Sequence, residues 1–297
     1  MRALVTGAGG QLGQDLVAAF AGWEVVAAGH RDLDVGDRDG VLGTVLGLQP
    51  DVVVHAAAWT AVDDCERDPD RAFRVNALGC RHVADACRRA GAYLCTVSTD
   101  YVFDGTSDHP YDEWAIPNPA SVYGRSKLAG EGEALTLAPG ASVVRTSWLC
   151  GAGGPNFVKT MLRLADSGPP EVTVVDDQRG CPTFTEDLAA AIRRLVAARL
   201  PGLFHVTNAG PTSWWGLARE VFELAGAGAG EATGVIGDGC SRSGRERARG
   251  GVPELSALWP EPQTEAQQAD DRALPAMHGA WAGPDHAVLL STAHNRA

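Results

Sequence analysis

A doubly wound α/β fold with a parallel sheet is predicted by three observations. Apolar strand-like runs alternate with helical stretches at intervals of about 25 to 40 residues through the first half of the chain, which is the rhythm of parallel strands joined by crossover helices. A glycine turn, TGAGGQLG, stands between the first strand and the first helix. The 297 residues, 45% of them hydrophobic, are enough to build and cover a large core.

Taken in order, Ala3 to Thr6 reads as a short buried strand, and QDLVAAFAG after the glycine turn as a helix that stops at Gly22. WEVVAAG is a second strand, DRDGVLGTVLGLQP a helix ended by Pro50, and DVVVHAAA a third strand. One long helix is expected over DPDRAFRVNALGCRHVADACRRAG, then a fourth strand, YLCTVST, and a fifth from Ser142 to Leu149. Beyond it the loops lengthen, with helices near 156–166, 185–199 and 213–226. The expected organisation is a dinucleotide-binding domain over 1–150 and a substrate-binding part over 151–226 woven back onto the sheet. The tail, 227–297, is rich in Gly, Pro, Arg and Gln and is expected to be poorly ordered, with HAVLLSTAH its one apolar stretch.

Composition narrows the function. A net charge of −12, from 25 basic and 37 acidic residues, repels polyanions and argues against nucleic acid. No apolar run reaches the roughly 18 residues of a membrane span, and MRALVTGAGG enters its strand and turn too soon for a signal segment, so a cytoplasmic location is expected. Seven cysteines without a Cys-x-x-Cys pair read as reduced and structural, with no metal site. Only two of the 25 basic residues, Lys127 and Lys159, are lysines.

Gly7, Gly10 and Gly13 allow a tight turn and close backbone approach to a pyrophosphate seated on the positive end of the following helix. A plain tight turn is the alternative. At the end of the second strand Gly29, His30 and Arg31 stand where an NAD-selective site commonly carries an acid for the ribose 2′-hydroxyl, so Arg31 is read as a partner for a 2′-phosphate. NADPH is the preferred cofactor and NADH the alternative. The small residues Ala56, Ala57 and Ala58 at the carboxyl end of the third strand admit a cofactor, or simply pack under a helix.

The most informative constellation is Ser98 and Thr99 at a strand end, followed by Tyr123 and Lys127 in SVYGRSKLAGE. Four residues apart on a helix, Tyr123 and Lys127 project from one face. With four tyrosines and two lysines in the whole chain, a chance pair at that spacing is rare. The ammonium is expected to lower the phenol from its ordinary value near 10 and make it a usable acid, while also holding ribose hydroxyls. Thr99 supplies a hydroxyl to the substrate oxygen.

The strings GAGGQLG, DVVVHAAAWTAVDDCE, VNALG, VSTDYVFDG, VYGRSKLAGE, VVRTSWLCG, VVDDQRGCPT and GLFHVTNAGPTSWWGLA, in order over residues 1–226, resemble the dTDP-4-dehydrorhamnose reductase family of extended short-chain dehydrogenases. The resemblance implies a dTDP-4-keto-6-deoxyhexose as substrate, reduced at its C4 ketone. It implies that Gly10, Gln11 and Leu12 approach the cofactor phosphates, that Asp34 and Val35 lie over the adenine, and that Ala57, Ala58 and Thr60 border the cofactor. Thr99, Tyr123 and Lys127 form the catalytic group, Asp100 and Trp148 lie by the sugar, and Gln178, Pro182 and Thr183 approach the nucleotide-sugar. A homodimer is left open. An epimerase on the same fold and a non-catalytic regulatory subunit are the rivals, while the order Thr99, Asp100, Tyr101 disfavours a dehydratase, which would place a Glu third.

The tail departs from the family, whose members carry Arg-Pro-x-x-Ser-x-Leu and a terminal helix in the last quarter. A coding of VPELSAL displaced by one nucleotide reads Ser-Arg-Asn-Ser-Ala-Leu, which motivates the hypothesis that the tail is translated out of frame. Resequencing the gene tests it, and an intact frame with no such segment in the shifted frames ends it.

Overall fold

A computed structural model describes residues 1–167, 171–226, 232–235 and 289–292. Its first half runs β1 (Arg2–Thr6), α1 (Gln11–Ala19), β2 (Glu24–Ala28), α2 (Arg38–Leu48), β3 (Val52–His55), α3 (Val62–Arg67), α4 (Pro69–Phe73), a π turn (Arg74–Leu78), α5 (Gly79–Ala90), β4 (Tyr93–Thr99), α6 (Val122–Leu137) and β5 (Ser142–Thr146). The second half adds β6 (Leu149–Cys150), α7 (Phe157–Ser167), β7 (Val172–Val175), β8 (Arg179–Gly180), β9 (Thr183–Phe184), α8 (Thr185–Ala198), β10 (Gly202–Thr207), β11 (Thr212–Ser213), α9 (Trp214–Leu224), β12 (Ala232–Val235) and β13 (Leu289–Thr292).

Six strands pair in parallel in the order β10-β5-β4-β3-β1-β2, with β13 antiparallel on the β10 edge. The strands are apolar at successive positions because both faces of the sheet are covered. Ala3, Val5, Val52, Val54 and Val144 face α1 and α8, where Leu12, Leu16, Phe20, Leu188 and Ile192 complete one core. The alternate residues Leu4, Val53, Leu94 and Val143 face α2, α5 and α6. A third core, around Met161, Phe184, Leu217 and Phe222, joins α7, α9 and the short strands of the second half.

The long helix expected after the third strand is interrupted. Asn76 sits in the π turn, and its carboxamide accepts from the Trp59 amide at 2.8 Å and donates to the Trp59 carbonyl at 3.0 Å and to Ser126 Oγ at 2.9 Å. The wider turn accompanies this three-way engagement. Within the tail, β12 pairs with β7 and β13 pairs with β10, the latter inside HAVLLSTAH. The rest of the tail, including VPELSAL, lies outside the described residues.

Candidate active site

The order of strands reverses beside β1, and a crevice for a ligand is expected outside the carboxyl ends of β1 and β3. Gly7 follows β1 with φ +71°, and a Cβ there would stand 2.6 Å from the Ala57 backbone nitrogen. A Cβ on Gly13 would stand 2.1 Å from the Gly7 carbonyl oxygen, so the turn and the first coil of α1 touch backbone to backbone. Gly10 caps α1 without a side-chain bond, and the first turn of the helix carries no acid. Its free amides and positive dipole end therefore fit a dinucleotide pyrophosphate.

The residues named for that cofactor occupy different environments. Ala57 and Ala58 are half-buried after β3, and Thr60 is exposed just beyond. Leu12 is buried in the core under α1, and the Gln11 carboxamide turns toward the segment after β6, so at the turn both offer backbone. Arg31 is exposed after β2, next to Asp32, whose carboxylate is occupied by the Gly29 amide at 2.8 Å. Asp34 accepts from the Gly36 amide at 2.9 Å and pairs with Arg74 at 3.1 Å, and the Gly36 bond first and Arg74 after it hold its carboxyl below the usual range. Val35 is 4% exposed, and its side chain packs in the core with α2 and α5.

The chemistry gathers at the ends of β4 and α6. Ser121 caps α6 by accepting from the Gly124 amide at 3.0 Å, and Glu66 of α3 accepts from the Val122 amide at 2.6 Å. Glycine is required at 124, where a Cβ would meet the Tyr101 carbonyl oxygen at 2.1 Å. So anchored, α6 holds Tyr123 beside the end of β4, and sets its ring edge-on to Tyr101 at 5.5 Å. One turn on, Lys127 donates to the Val97 carbonyl at 2.7 Å.

The Tyr123 proton is held more tightly than the sequence implies. Burial pushes the phenol up, the Thr99 bond pulls it partly back, and the Asp100 charge pushes it up again. The lowering expected from Lys127 is not what governs the phenol: Tyr123 is only 8% exposed, burial raises it, and the neighbouring charges act in the same direction. Burial likewise lowers Lys127. Asp100, which accepts from Thr99 Oγ1 at 3.0 Å, is pushed up to about 6 by burial.

Beside this group opens a cavity of about 880 Å³. Asp100, Trp148 and Gln178 line it, as do Tyr101, Arg179 and Trp214, which the sequence reading did not single out although DDQRG and SWWG contain two of them. Trp148 holds φ +48°, rare for a bulky residue, and stacks on Trp214 at 3.6 Å between ring centres and 9° between planes. Thr99, Tyr123 and Lys127 are buried next to the cavity rather than on its lining, and Pro182 and Thr183 do not line it either. Both are buried, and Thr183 pairs with Leu149 as β9 lies against β6, where its amide donates to the Trp148 carbonyl at 3.1 Å.

Among the described residues no group of His, Cys, Asp and Glu is arranged to hold a metal ion, and no helix is long and apolar enough to cross a membrane. Six cysteines there are free, five of them buried; Cys240 lies outside the described residues.

A family model described as the RmlD substrate binding domain matches residues 1–242. A dTDP-4-dehydrorhamnose reductase of Streptomyces griseus is 48% identical over 234 residues, covering 76% of this chain and 77% of that protein. A dTDP-4-keto-6-deoxy-D-glucose reductase of Streptomyces niveus is 46% identical over 240 residues, covering 80% and 83%. Among solved structures, a dTDP-4-dehydrorhamnose reductase from Bacillus anthracis in complex with NADP superposes with a TM-score of 0.78 at 34% identity, covering 93% of this chain and 98% of that one.

Proposed function

We propose a function on one premise: this chain belongs to the RmlD substrate binding domain family. The chain reduces the C4 ketone of a dTDP-4-keto-6-deoxyhexose with NADPH, as a dTDP-4-dehydrorhamnose reductase or a related 4-ketoreductase of deoxysugar synthesis. The observation that carries the reading is Tyr123 and Lys127 one turn apart on α6, buried with Thr99 at the end of β4, next to a cavity lined by Asp100, Tyr101 and Ser121.

The glycine turn from Gly7 to Gly10, the first amides of α1 and the strand ends at Ala57 and Ala58 hold the cofactor, and Arg31 favours its 2′-phosphate. When bound, NADPH supplies the hydride. Tyr123 gives its proton to the C4 oxygen, and its burial keeps the phenol protonated at neutral pH, the form a reduction needs. Thr99 orients that phenol. Lys127, with one donor committed to Val97, has two left for ribose hydroxyls. Trp148 and Trp214 offer a flat apolar wall to the deoxysugar.

The diphosphate of the nucleotide-sugar calls for a cation. Among the described residues two guanidinium groups line the cavity; Arg145 is taken by Glu131 at 2.6 Å, which leaves Arg179. The location that fits such a reaction is the cytoplasm.

Loss of NADPH absorbance in the presence and absence of a dTDP-4-keto-6-deoxyhexose tests the reading. Sugar-dependent oxidation is expected. A protein that binds NADP⁺ and the nucleotide-sugar but oxidises nothing would be a regulatory subunit instead.

A further inference from the structure

The cofactor turn and the cavity wall are joined by one side chain. Gln11 is the first residue of α1, directly after the glycine turn. Its Oε1 accepts from the Gly151 amide at 2.9 Å and from Asn156 Nδ2 at 2.6 Å, and its Nε2 donates to the Leu149 carbonyl at 3.2 Å. Three of the four hydrogen bonds open to a carboxamide are thus made to a segment about 140 residues away in sequence. Glycine at 151 permits the approach, since a Cβ there would stand 2.9 Å from Gln11 Cγ and 2.1 Å from Thr185 Oγ1. Gln14, one turn along α1, bonds back to the Gly9 carbonyl at 3.4 Å instead.

The segment that Gln11 holds is internally braced. Asn156 donates to the Gly151 carbonyl at 2.9 Å and accepts from the Lys159 amide at 3.0 Å, and Lys159 Nζ reaches the Ala152 carbonyl at 2.5 Å. Its near end is Leu149, the neighbour of Trp148, which stands in its left-handed conformation against Trp214. A continuous path therefore runs from the positive end of α1 through Gln11 and Leu149 to the wall of the cavity.

We propose that Gln11 is a positioning residue that couples the two ligand sites: a dinucleotide seated on the first turn of α1 fixes Gln11, Gln11 fixes the segment 149–156, and the Trp148 wall is set for the nucleotide-sugar. The inference rests on the assignment of dinucleotide and nucleotide-sugar to these sites. By linkage the coupling is reciprocal, so the nucleotide-sugar tightens the dinucleotide by the same factor.

The test is calorimetric titration of dTDP-glucose, a nucleotide-sugar without a C4 ketone, into the full chain, with and without saturating NADP⁺, for the wild type, Gln11→Leu and Gln11→Glu. The readout is the ratio of the two dissociation constants. NADP⁺ is expected to tighten dTDP-glucose by roughly 5- to 150-fold in the wild type. The ratio should fall toward one in Gln11→Leu. Gln11→Glu keeps the acceptor for Gly151 and Asn156 and loses the donor to Leu149, so an intermediate ratio is expected and supports the path even should the Leu variant not fold. The NADP⁺-induced change in tryptophan emission should shrink with the ratio, and Trp148→Phe identifies the part due to Trp148. A purely structural role would weaken both ligands and leave the ratio intact, which overturns the proposal, as does a wild-type ratio of one. A wild type that binds neither ligand instead refutes the assignment of the sites and takes the coupling with it.

Discussion

Replacing Tyr123 by Phe removes one phenolic proton and keeps the ring that lies edge-on to Tyr101. Turnover should fall by about 10²- to 10⁴-fold, the usual worth of a general acid, with little change in melting temperature. Near-normal turnover would take Tyr123 out of the reaction. Thr146 makes the opposite trade. Its Oγ1 is buried without a hydrogen-bond partner among the described residues, and Val has nearly the same shape without the hydroxyl. Thr146→Val should therefore stabilise the fold by about 1 to 3 kcal/mol, and a drop in melting temperature would reveal a partner for the hydroxyl. His55, at the end of β3, is hydrogen-bonded to Thr6 Oγ1 at 2.8 Å, and burial first, then the Lys127 charge, pushes its pKa down from 6.5 to about 3. Between those values the unfolded chain binds a proton that the folded one does not. Stability is thus full above about pH 6.5 and falls as the pH drops toward about 3, by about 1.4 kcal/mol per pH unit for one proton. Urea titrations from neutral to mildly acid pH should show His55→Gln losing that slope, and an unchanged slope would assign the proton elsewhere.

At the next scale, the turn before α1 is built to a backbone contact that leaves no room for a methyl group. In Gly13→Ala the new Cβ would stand 2.1 Å from the Gly7 oxygen, so the helix must lift off the turn. The expected cost is about 1 to 3 kcal/mol of stability together with weakened NADP⁺ binding, read by urea titration and calorimetry; wild-type values in both would mean the turn yields freely. Such elements were legible because their signals are local: apolar runs for β1, β3 and β4, three glycines, and a Tyr and a Lys one helical turn apart. The π turn was not, because it accompanies bonds from Asn76 to Trp59 and Ser126, 17 and 50 positions away. Nor could the two-residue strands β6 and β9 be read, since each has meaning only through the other. For the same reason the burial of Pro182 and Thr183 in DDQRGCPT could not be read from the motif. The hold of Tyr123 on its proton was also misjudged, since a motif shows the lysine four residues on and conceals both the burial of the phenol and the Asp100 charge that push it up.

The middle of the sheet is tied to α6 by a buried ion pair. Arg145 of β5 reaches Glu131 of α6 through Nε at 2.9 Å and Nη2 at 2.6 Å, with the side chains 5% and 4% exposed, and Ser98 of β4 donates to the same carboxylate at 2.5 Å. Arg145→Met would strand that carboxylate in the interior, at an expected cost of about 3 to 5 kcal/mol, and the double variant with Glu131→Leu should recover most of it. A single variant as stable as the wild type would show that water reaches Glu131. The core between α1 and α8 has a consequence of another kind. Leu12, Leu16 and Phe20 are covered by Leu188, Ile192 and Leu195, about 170 positions later in the chain. On the ribosome, at roughly 5 to 20 residues per second, the apolar side of α1 waits roughly 9 to 34 s for its cover. A newly made chain thus passes through a long interval in which its earliest helix is sticky, and the yield of soluble protein should depend on how quickly translation delivers α8 and on what shields α1 until it arrives.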